Sequence, residues 1–202
     1  MKLTHLIPLL TVTTAVFAAP QSFDFKDPKG VNNAVFKLDA PLESINGSAN
    51  GISGSVSFDV ENPGATTGKI TVTTASLTVP NPMMNGHLHS DKWLDAAKFP
   101  EITFEVKSLA NVKTDGNATT ADATGTFTLH GVSKEITAPV KLTYLKDKLG
   151  DRVPNMKGDL LVIRANFNLN REDFDINKGK FEDKVSTNID LSLSIAGAAV
   201  AK

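Results

Sequence analysis

The chain has 202 residues, of which 21 are basic and 22 acidic, and it contains no cysteine. Disulfides, thiol catalysis and thiolate metal sites are therefore excluded. A net charge of −1 without any basic run also lacks the electrostatic footprint of a nucleic-acid-binding protein, so we expect no nucleic-acid partner.

The first residues are typical of an export signal. Lys2 gives a short basic start, and residues 3–16 are mostly apolar but too few and too rich in threonine for a transmembrane helix. Val16 and Ala18 place small or aliphatic side chains at the two positions that a signal peptidase reads, so we expect cleavage after Ala18 and a periplasmic or secreted mature protein. Removing residues 1–18, which include Lys2, leaves 184 residues with 20 basic and 22 acidic side chains. This is the size of a single domain, residues 19–202.

Alternating apolar and polar residues predict β-strands through the rest of the chain. A change of parity between residues 70–72 and 77–79 predicts a bulge near residues 74–76. Pro139 on the polar parity of its run predicts an edge or a bulge position. Strand-like runs lie at residues 52–60, 70–79, 102–106, 127–129, 136–144, 161–169 and 189–195. About eight strands with tight turns predict one all-β domain, an up-and-down antiparallel barrel or a sandwich.

One segment, residues 83–97, interrupts the β pattern with a helical one. Ser90 or Asp91 is a candidate N-cap, and the residue before Pro100 disfavours further helix. The apolar face would comprise Trp93, Leu94 and Ala97. A short amphipathic insertion beside a barrel pattern predicts a lid over an apolar interior, and therefore an apolar small molecule as ligand.

Four segments resemble the sequence motifs of one protein family. They are residues 87–100 (His-Leu-His-Ser-Asp-Lys-Trp-Leu-Asp-Ala-Ala-Lys-Phe-Pro), 125–134 (Gly-Thr-Phe-Thr-Leu-His-Gly-Val-Ser-Lys), 167–174 (Phe-Asn-Leu-Asn-Arg-Glu-Asp-Phe) and 183–195. Through these motifs the chain resembles the YceI-like family of exported polyisoprenoid-binding proteins. It departs from the family pattern at residues 27–33, which lack the usual histidine, and at Trp93, which replaces a phenylalanine.

The resemblance implies an extended eight-stranded antiparallel β-barrel, lipocalin-like in shape, with the helical lid around residues 83–97. It also implies a long apolar tunnel that holds a polyisoprenoid, an isoprenoid quinone or a similar lipid. Related proteins are often dimeric, which makes a homodimer a candidate assembly. We expect no cofactor besides the bound lipid.

Apolar side chains on the predicted strands and lid are the candidates for the tunnel lining, although each could equally be ordinary barrel core. They are Phe36, Phe58, Val72, Leu88, Trp93, Phe104, Phe127, Leu129, Leu142, Phe167, Phe174 and Ile189. Four polar residues are candidates for the mouth. His87 and Ser90 are expected to anchor the lid by hydrogen bonds. Arg171 and Asp173 could pair with each other to close the barrel or contact a ligand head group. His130 is given no special role.

Catalytic and metal motifs are absent from the sequence. His87 and His89 are two residues apart, which places them on one face only in a strand, and the usual zinc spacings do not occur, so we expect no metal. The sequence also lacks a nucleophile elbow, a phosphate-binding loop and a His-Glu-x-x-His helix. We therefore do not expect the protein to be an enzyme.

The sequence therefore predicts an exported, soluble carrier of a long apolar lipid, with a role in transport, storage or envelope stress. Two alternatives stay open at this point. One is an enzyme or envelope stress factor that acts on such lipids. The other is an interaction protein whose filled barrel holds no ligand.

Overall fold

A computed structural model describes residues 19–201 of the chain, so the signal predicted for residues 1–18 lies outside the described residues. The strands are β1 (Gln21–Asp24), β2 (Asn33–Asp39), β3 (Ser44–Ala49), β4 (Ile52–Phe58), β5 (Thr67–Thr73), β6 (Leu77–Thr78), β7 (Glu101–Asp115), β8 (Ala118–Leu129), β9 (Val132–Leu145), β10 (Gly158–Asn170) and β11 (Asn188–Val200). The helices are α1 (Pro82–His89) and α2 (Leu149–Arg152). Within residues 19–201 no helix is both long and apolar enough to cross a membrane.

Eight antiparallel strands form a closed barrel, which confirms the predicted fold class. Around the barrel their order is β1, β4, β5, β7, β8, β9, β10 and β11, and the ring closes where Asp24 of β1 pairs with Ala198 of β11. Side chains alternate between the two faces of a strand, and every second residue of β8 from Thr119 to Leu129 is buried. The period-two pattern of the sequence therefore decides which side chains face the interior.

The wall changes partners towards one end of the barrel. There β11 pairs with β2 over Asp190 to Ser194, and β3 and β6 extend the wall beyond β2. A 3-10 turn at Thr74–Ser76 separates β5 from β6, so the predicted irregularity is present as a turn rather than a bulge. The pairing of β9 with β10 stops at Val140, which leaves Pro139 at an edge, as predicted.

The opposite end of the barrel is closed by a dense apolar cluster and by hydrogen bonds around the buried side chain of Asn32. Phe23 and Phe25 are fully buried in the cluster. Asn32 is 1% exposed, and its side chain donates to the carbonyls of Phe25 and Ala196 at 3.0 and 3.1 Å. Its side-chain oxygen accepts from the Ala196 N–H at 2.9 Å and from Arg152 at 3.1 Å. The segment of residues 27–33 is thus fixed to β11 by Asn32.

A second polar group near the same end joins Tyr144 to Asp159. The Tyr144 hydroxyl donates to Asp159 at 2.7 Å, and Gln21 donates to the same oxygen at 2.9 Å. Burial, followed by the hydrogen bond to Asp159 and the charge of that carboxylate, raises the pKa of Tyr144 to about 12. Burial opposes ionisation of Asp159, yet the donors from Asp147, Gln21 and Tyr144 hold its pKa below the ordinary value.

Alkaline titration checks this network directly, because Tyr144 is the only tyrosine in the chain. Tyrosinate absorbance should show a pKa of about 12 in the folded protein and the ordinary 10.0 in the unfolded one. Because the pKa of Tyr144 is higher in the folded protein than in the unfolded one, the protonated hydroxyl stabilises the fold. This contribution to the free energy of unfolding is fully present below pH 10 and is lost as the pH rises through about 12. Asp159→Asn should lower the pKa of Tyr144 in the folded protein. If Tyr144 of the unsubstituted folded protein already titrated at the ordinary value, the network would be contradicted.

Candidate functional site

An apolar cavity of about 420 Å³ occupies the barrel between the closed end and helix α1. Its lining runs along β10 from Ile163 and ends at Arg171, the residue after the strand, which corresponds to roughly 20 Å along the axis of a barrel with tilted strands. Five of the forty lining residues are polar: Thr66, His87, Thr103, Arg171 and Ser192. The cavity is therefore suited to an elongated, apolar molecule.

Small side chains leave the space at mid-height. Ala123 of β8 pairs with Ala138 of β9, and Ala165 of β10 pairs with Val140. These three alanines line the cavity and are at most 6% exposed to solvent. Ala34 of β2 adds a fourth alanine to the lining. Because an alanine fills so little of the interior, the opposite walls do not meet here.

The roof of the cavity is the lid segment, which we define as residues 80–100. Its helix α1 begins at Pro82, because the Asn81 side chain accepts hydrogen bonds from the N–H groups of Met83 and Met84. Met84 and Leu88, four residues apart on the helix, both line the cavity. The segment is therefore an apolar cover over one end of the barrel.

The predicted start of the lid helix was wrong. Ser90 is the C-cap of α1, and the chain continues in turns in which Asp95 has φ 44°. The N-cap is Asn81, whose side chain caps the helix. Pro82 follows at the first helical position, where the proline ring is compatible with a helix. Trp93 and Leu94 line the cavity from these turns rather than from a helix.

The hydrogen bonds that hold the lid segment differ from the predicted ones. His89, not His87, anchors it, through a hydrogen bond of 2.8 Å between its ring and the Leu77 carbonyl. The Ser90 hydroxyl donates to the His87 carbonyl at 2.7 Å, a bond within the segment. His130 was underestimated, because its ring lies edge-on to Phe99 at 4.7 Å and bonds the Phe174 carbonyl at 3.2 Å.

Arg171 organises the loop between β10 and β11, residues 171–187. The side chain is 1% exposed, and its nitrogens donate five hydrogen bonds to backbone carbonyls. The acceptors are Ser186 (3.1 Å), Ile176 (2.7 Å), Asn177 (2.6 Å), Lys180 (2.6 Å) and Val185 (3.3 Å). A guanidinium has five N–H groups, so none is left for a ligand head group.

The predicted ion pair between Arg171 and Asp173 does not form. Asp173 lies 3.9 Å from Lys134 instead. In the described part of the chain, no acidic side chain pairs with Arg171. Backbone carbonyls of the loop, not the carboxylate of Asp173, accept the hydrogen bonds of Arg171. A sequence pattern does not reveal such carbonyls.

A surface cleft, which we call the mouth cleft, adjoins the cavity between the lid segment and the 171–187 loop. His87 and Trp93 line both spaces. Trp93 stacks on Phe181 at 5.9 Å, and Asn177 donates to the Lys92 carbonyl at 2.7 Å. The remaining lining residues are Asp91, His130, Asp175, Lys178 and Lys180. The mouth cleft is the polar approach to the apolar cavity.

Ten of the twelve residues expected to line the tunnel do line the cavity: Phe36, Val72, Leu88, Trp93, Phe104, Phe127, Leu129, Leu142, Phe167 and Ile189. Phe58 is instead buried at the closed end beside Tyr144. Phe174, 1% exposed, packs edge-on against Phe127 at 5.6 Å behind the lining. Contact of any of these side chains with a ligand stays a prediction.

Sequence reasoning missed two kinds of lining residue. The alanines at mid-height lie on the inward parity of their strands, but their small size hid them among ordinary core positions. Ile176 and Val185 lie in the 171–187 loop, where no periodicity exists to reveal them. Within residues 19–201, no group of three or more His, Cys, Asp or Glu side chains is arranged to hold a metal ion.

Replacing Arg171 tests its role in the loop. Arg171→Lys keeps the charge but offers fewer donors, so unsatisfied carbonyls should lower the free energy of unfolding by about 3 kcal/mol. Trp93, the only tryptophan, should show a red-shifted emission as the loop loosens. The control is Arg164→Lys at an exposed position of β10, where a change within about 0.5 kcal/mol is expected. Equal effects of the two substitutions would refute the assignment.

Comparison with known proteins places the chain in a family. A family model described as the YceI-like domain matches residues 24–196. A UPF0312 protein of Pseudomonas aeruginosa is 33% identical over 138 residues, 66% of this chain and 70% of that protein. The crystal structure of the Campylobacter jejuni YCEI protein is 26% identical with a TM-score of 0.62, covering 77% of this chain and 84% of that one.

A polyisoprenoid binding domain from Saccharophagus degradans, implicated in plant cell wall breakdown, shares the fold. Its TM-score is 0.58 at 14% identity, and the match covers 91% of this chain and 99% of that one. Because the family model matches most of the sequence and the barrel agrees with the solved structures, the chain belongs to the YceI-like family.

Proposed function

We propose that this protein is an exported carrier that binds a long apolar lipid, a polyisoprenoid, an isoprenoid quinone or a similar molecule, in its barrel. The single observation that carries the proposal is the elongated apolar cavity with a polar approach at one end. Uptake and release through the mouth cleft would be its whole mechanism. The signal-like sequence pattern of residues 1–18 supports export.

Energetics favour a long ligand over a short one. Burying about ten methylene groups gains roughly 8 kcal/mol. Association itself costs at least about 4 kcal/mol in lost translational and rotational freedom. A short apolar compound would therefore bind weakly, whereas a chain that fills the roughly 20 Å length could bind in the micromolar range or tighter. The isoprenoid class is supported by the Saccharophagus degradans domain of the same fold, which is described as polyisoprenoid binding.

The two alternatives have less support. A catalyst requires titratable groups that converge on a substrate. Of the residues that line the cavity, His87 and Arg171 are the titratable ones, and the donors of Arg171 are used by loop carbonyls. A filled barrel would have no cavity of about 420 Å³ at its centre.

Filling the cavity should abolish lipid binding while preserving the fold. Ala138→Phe places a ring at mid-height, where the alanines leave room, so stability should change by no more than about 1.5 kcal/mol. Binding of geranylgeraniol, followed by the fluorescence of Trp93, should weaken at least tenfold. Thr137→Phe introduces the same ring on the exposed face of β9 and should bind like the parent protein. Undiminished binding by Ala138→Phe would exclude the barrel interior as the lipid site.

The cargo can be identified without assuming its structure. Protein purified without detergent from its native host is extracted with organic solvent, and the extract is analysed by mass spectrometry. A stoichiometric isoprenoid is the expected result. An empty extract, together with failure to load quinones or prenyl alcohols, would favour the filled-barrel or enzyme alternative.

A further inference from the structure

Phe181 adopts a backbone conformation that phenylalanine rarely occupies. Its φ is 60°, in the left-handed region, where a residue with a Cβ is strained and glycine is not. The same loop has a glycine, Gly179, where its φ is 67°. The side chain of Phe181 is 53% exposed, so burial of the ring offsets little of the strain. A phenylalanine at this position therefore indicates that its ring has a role outside the core.

Hydrogen bonds fix the backbone around Phe181. The Phe181 carbonyl accepts from the Val185 N–H at 2.7 Å. The carbonyl of the preceding residue, Lys180, accepts from the guanidinium of Arg171 at 2.6 Å. The surrounding structure therefore imposes the left-handed conformation, and in that conformation the Phe181 ring lies against the lid segment.

Trp93 lies between the mouth cleft and the apolar cavity, since it lines both. Phe181 lines the cleft but not the cavity. Its ring packs against the indole of Trp93 at 5.9 Å, with an angle of 34° between the two ring planes. As seen from the cavity, the Phe181 ring is therefore on the outer side of the indole, where it opposes an outward movement of Trp93.

Helix α1 of the lid segment is fastened to the chain before it. The Asn85 side chain makes two hydrogen bonds with the backbone of Val79, at 2.7 and 3.0 Å. The His89 ring bonds the Leu77 carbonyl at 2.8 Å. A movement of the Trp93 side chain breaks none of these bonds. The indole is therefore the part of the roof that can open while the helix stays in place.

We infer that Phe181 positions Trp93 as the gate of the cavity and so sets the rate at which the lipid enters and leaves. This inference rests on the proposed function and adds the residue that controls its rate. The Phe181 ring holds the indole over the opening, and each passage of a lipid requires the two rings to separate. Because Phe181 does not line the cavity, its ring slows entry and release alike and leaves the affinity for the lipid unchanged.

The test measures the rates of loading and release of geranylgeraniol through the fluorescence of Trp93. Loading starts when empty protein is mixed with the alcohol, and release starts when loaded protein is mixed with excess phosphatidylcholine vesicles. Phe181→Gly removes the ring, so both rates should rise by about fivefold while the Kd changes by less than about twofold. The melting temperature should not fall, because glycine relieves the strain of the left-handed conformation.

Two further variants complete the test. Phe181→Asn also lacks the ring, and asparagine tolerates the left-handed conformation, so this variant should load and release as fast as Phe181→Gly. Asn155→Gly is the matched control, because it places a glycine at another exposed residue with a positive φ, 68°, near helix α2 at the closed end. It should keep the rates of the parent protein.

The possible outcomes separate this inference from the proposed function. Unchanged rates in both Phe181 variants would overturn the inference and leave the carrier function standing. Faster release with unchanged loading would also overturn it, because the lost affinity would show that Phe181 contacts the lipid itself. Failure of the parent protein to bind geranylgeraniol would overturn both proposals.

Discussion

The width of an eight-stranded barrel is the constraint on which the rest of this structure depends. Such an interior is narrow enough for ordinary side chains to fill it completely, so the sizes of the inward residues decide whether a cavity exists. At the closed end the fully buried rings of Phe23 and Phe25 fill the interior and exclude solvent. At mid-height the side chains of Ala123, Ala138 and Ala165 are too short to reach the opposite wall, and a cavity of about 420 Å³ is left.

The two ends of the barrel are closed by different physical means. At the closed end, the Asn32 side chain makes two hydrogen bonds with Ala196 of β11 and two with Phe25 and Arg152, and the apolar cluster packs behind it. At the mouth, the lid segment meets the 171–187 loop through the Trp93–Phe181 stack and one hydrogen bond from Asn177. Opening the mouth therefore breaks few interactions, whereas opening the closed end would disrupt the barrel.

The sequence was most informative where side chains repeat with a fixed period. Strand faces follow the period of two, so residues such as Phe104, Phe127 and Leu129 could be assigned to the interior from parity. The lid could be recognised from the sequence as an insertion, but the start of its helix could not. Asn81 caps the helix and the helix packs over the cavity, whereas Ser90, the predicted N-cap, lies at its C-terminal end. The lining at Ile176 depends on a loop whose path is set by tertiary contacts.

Arg171 shows why local patterns could not give the geometry of the mouth. Burying an unpaired cation costs several kcal/mol, and isolated ion pairs offset that cost only when their geometry is favourable. Here five carbonyl dipoles from one loop replace the carboxylate, so the charge is held only while the loop keeps its fold. The same loop presents Lys178 and Lys180 to the cleft. The conformation of the loop, the buried charge and the position of the two lysines at the mouth therefore depend on one another.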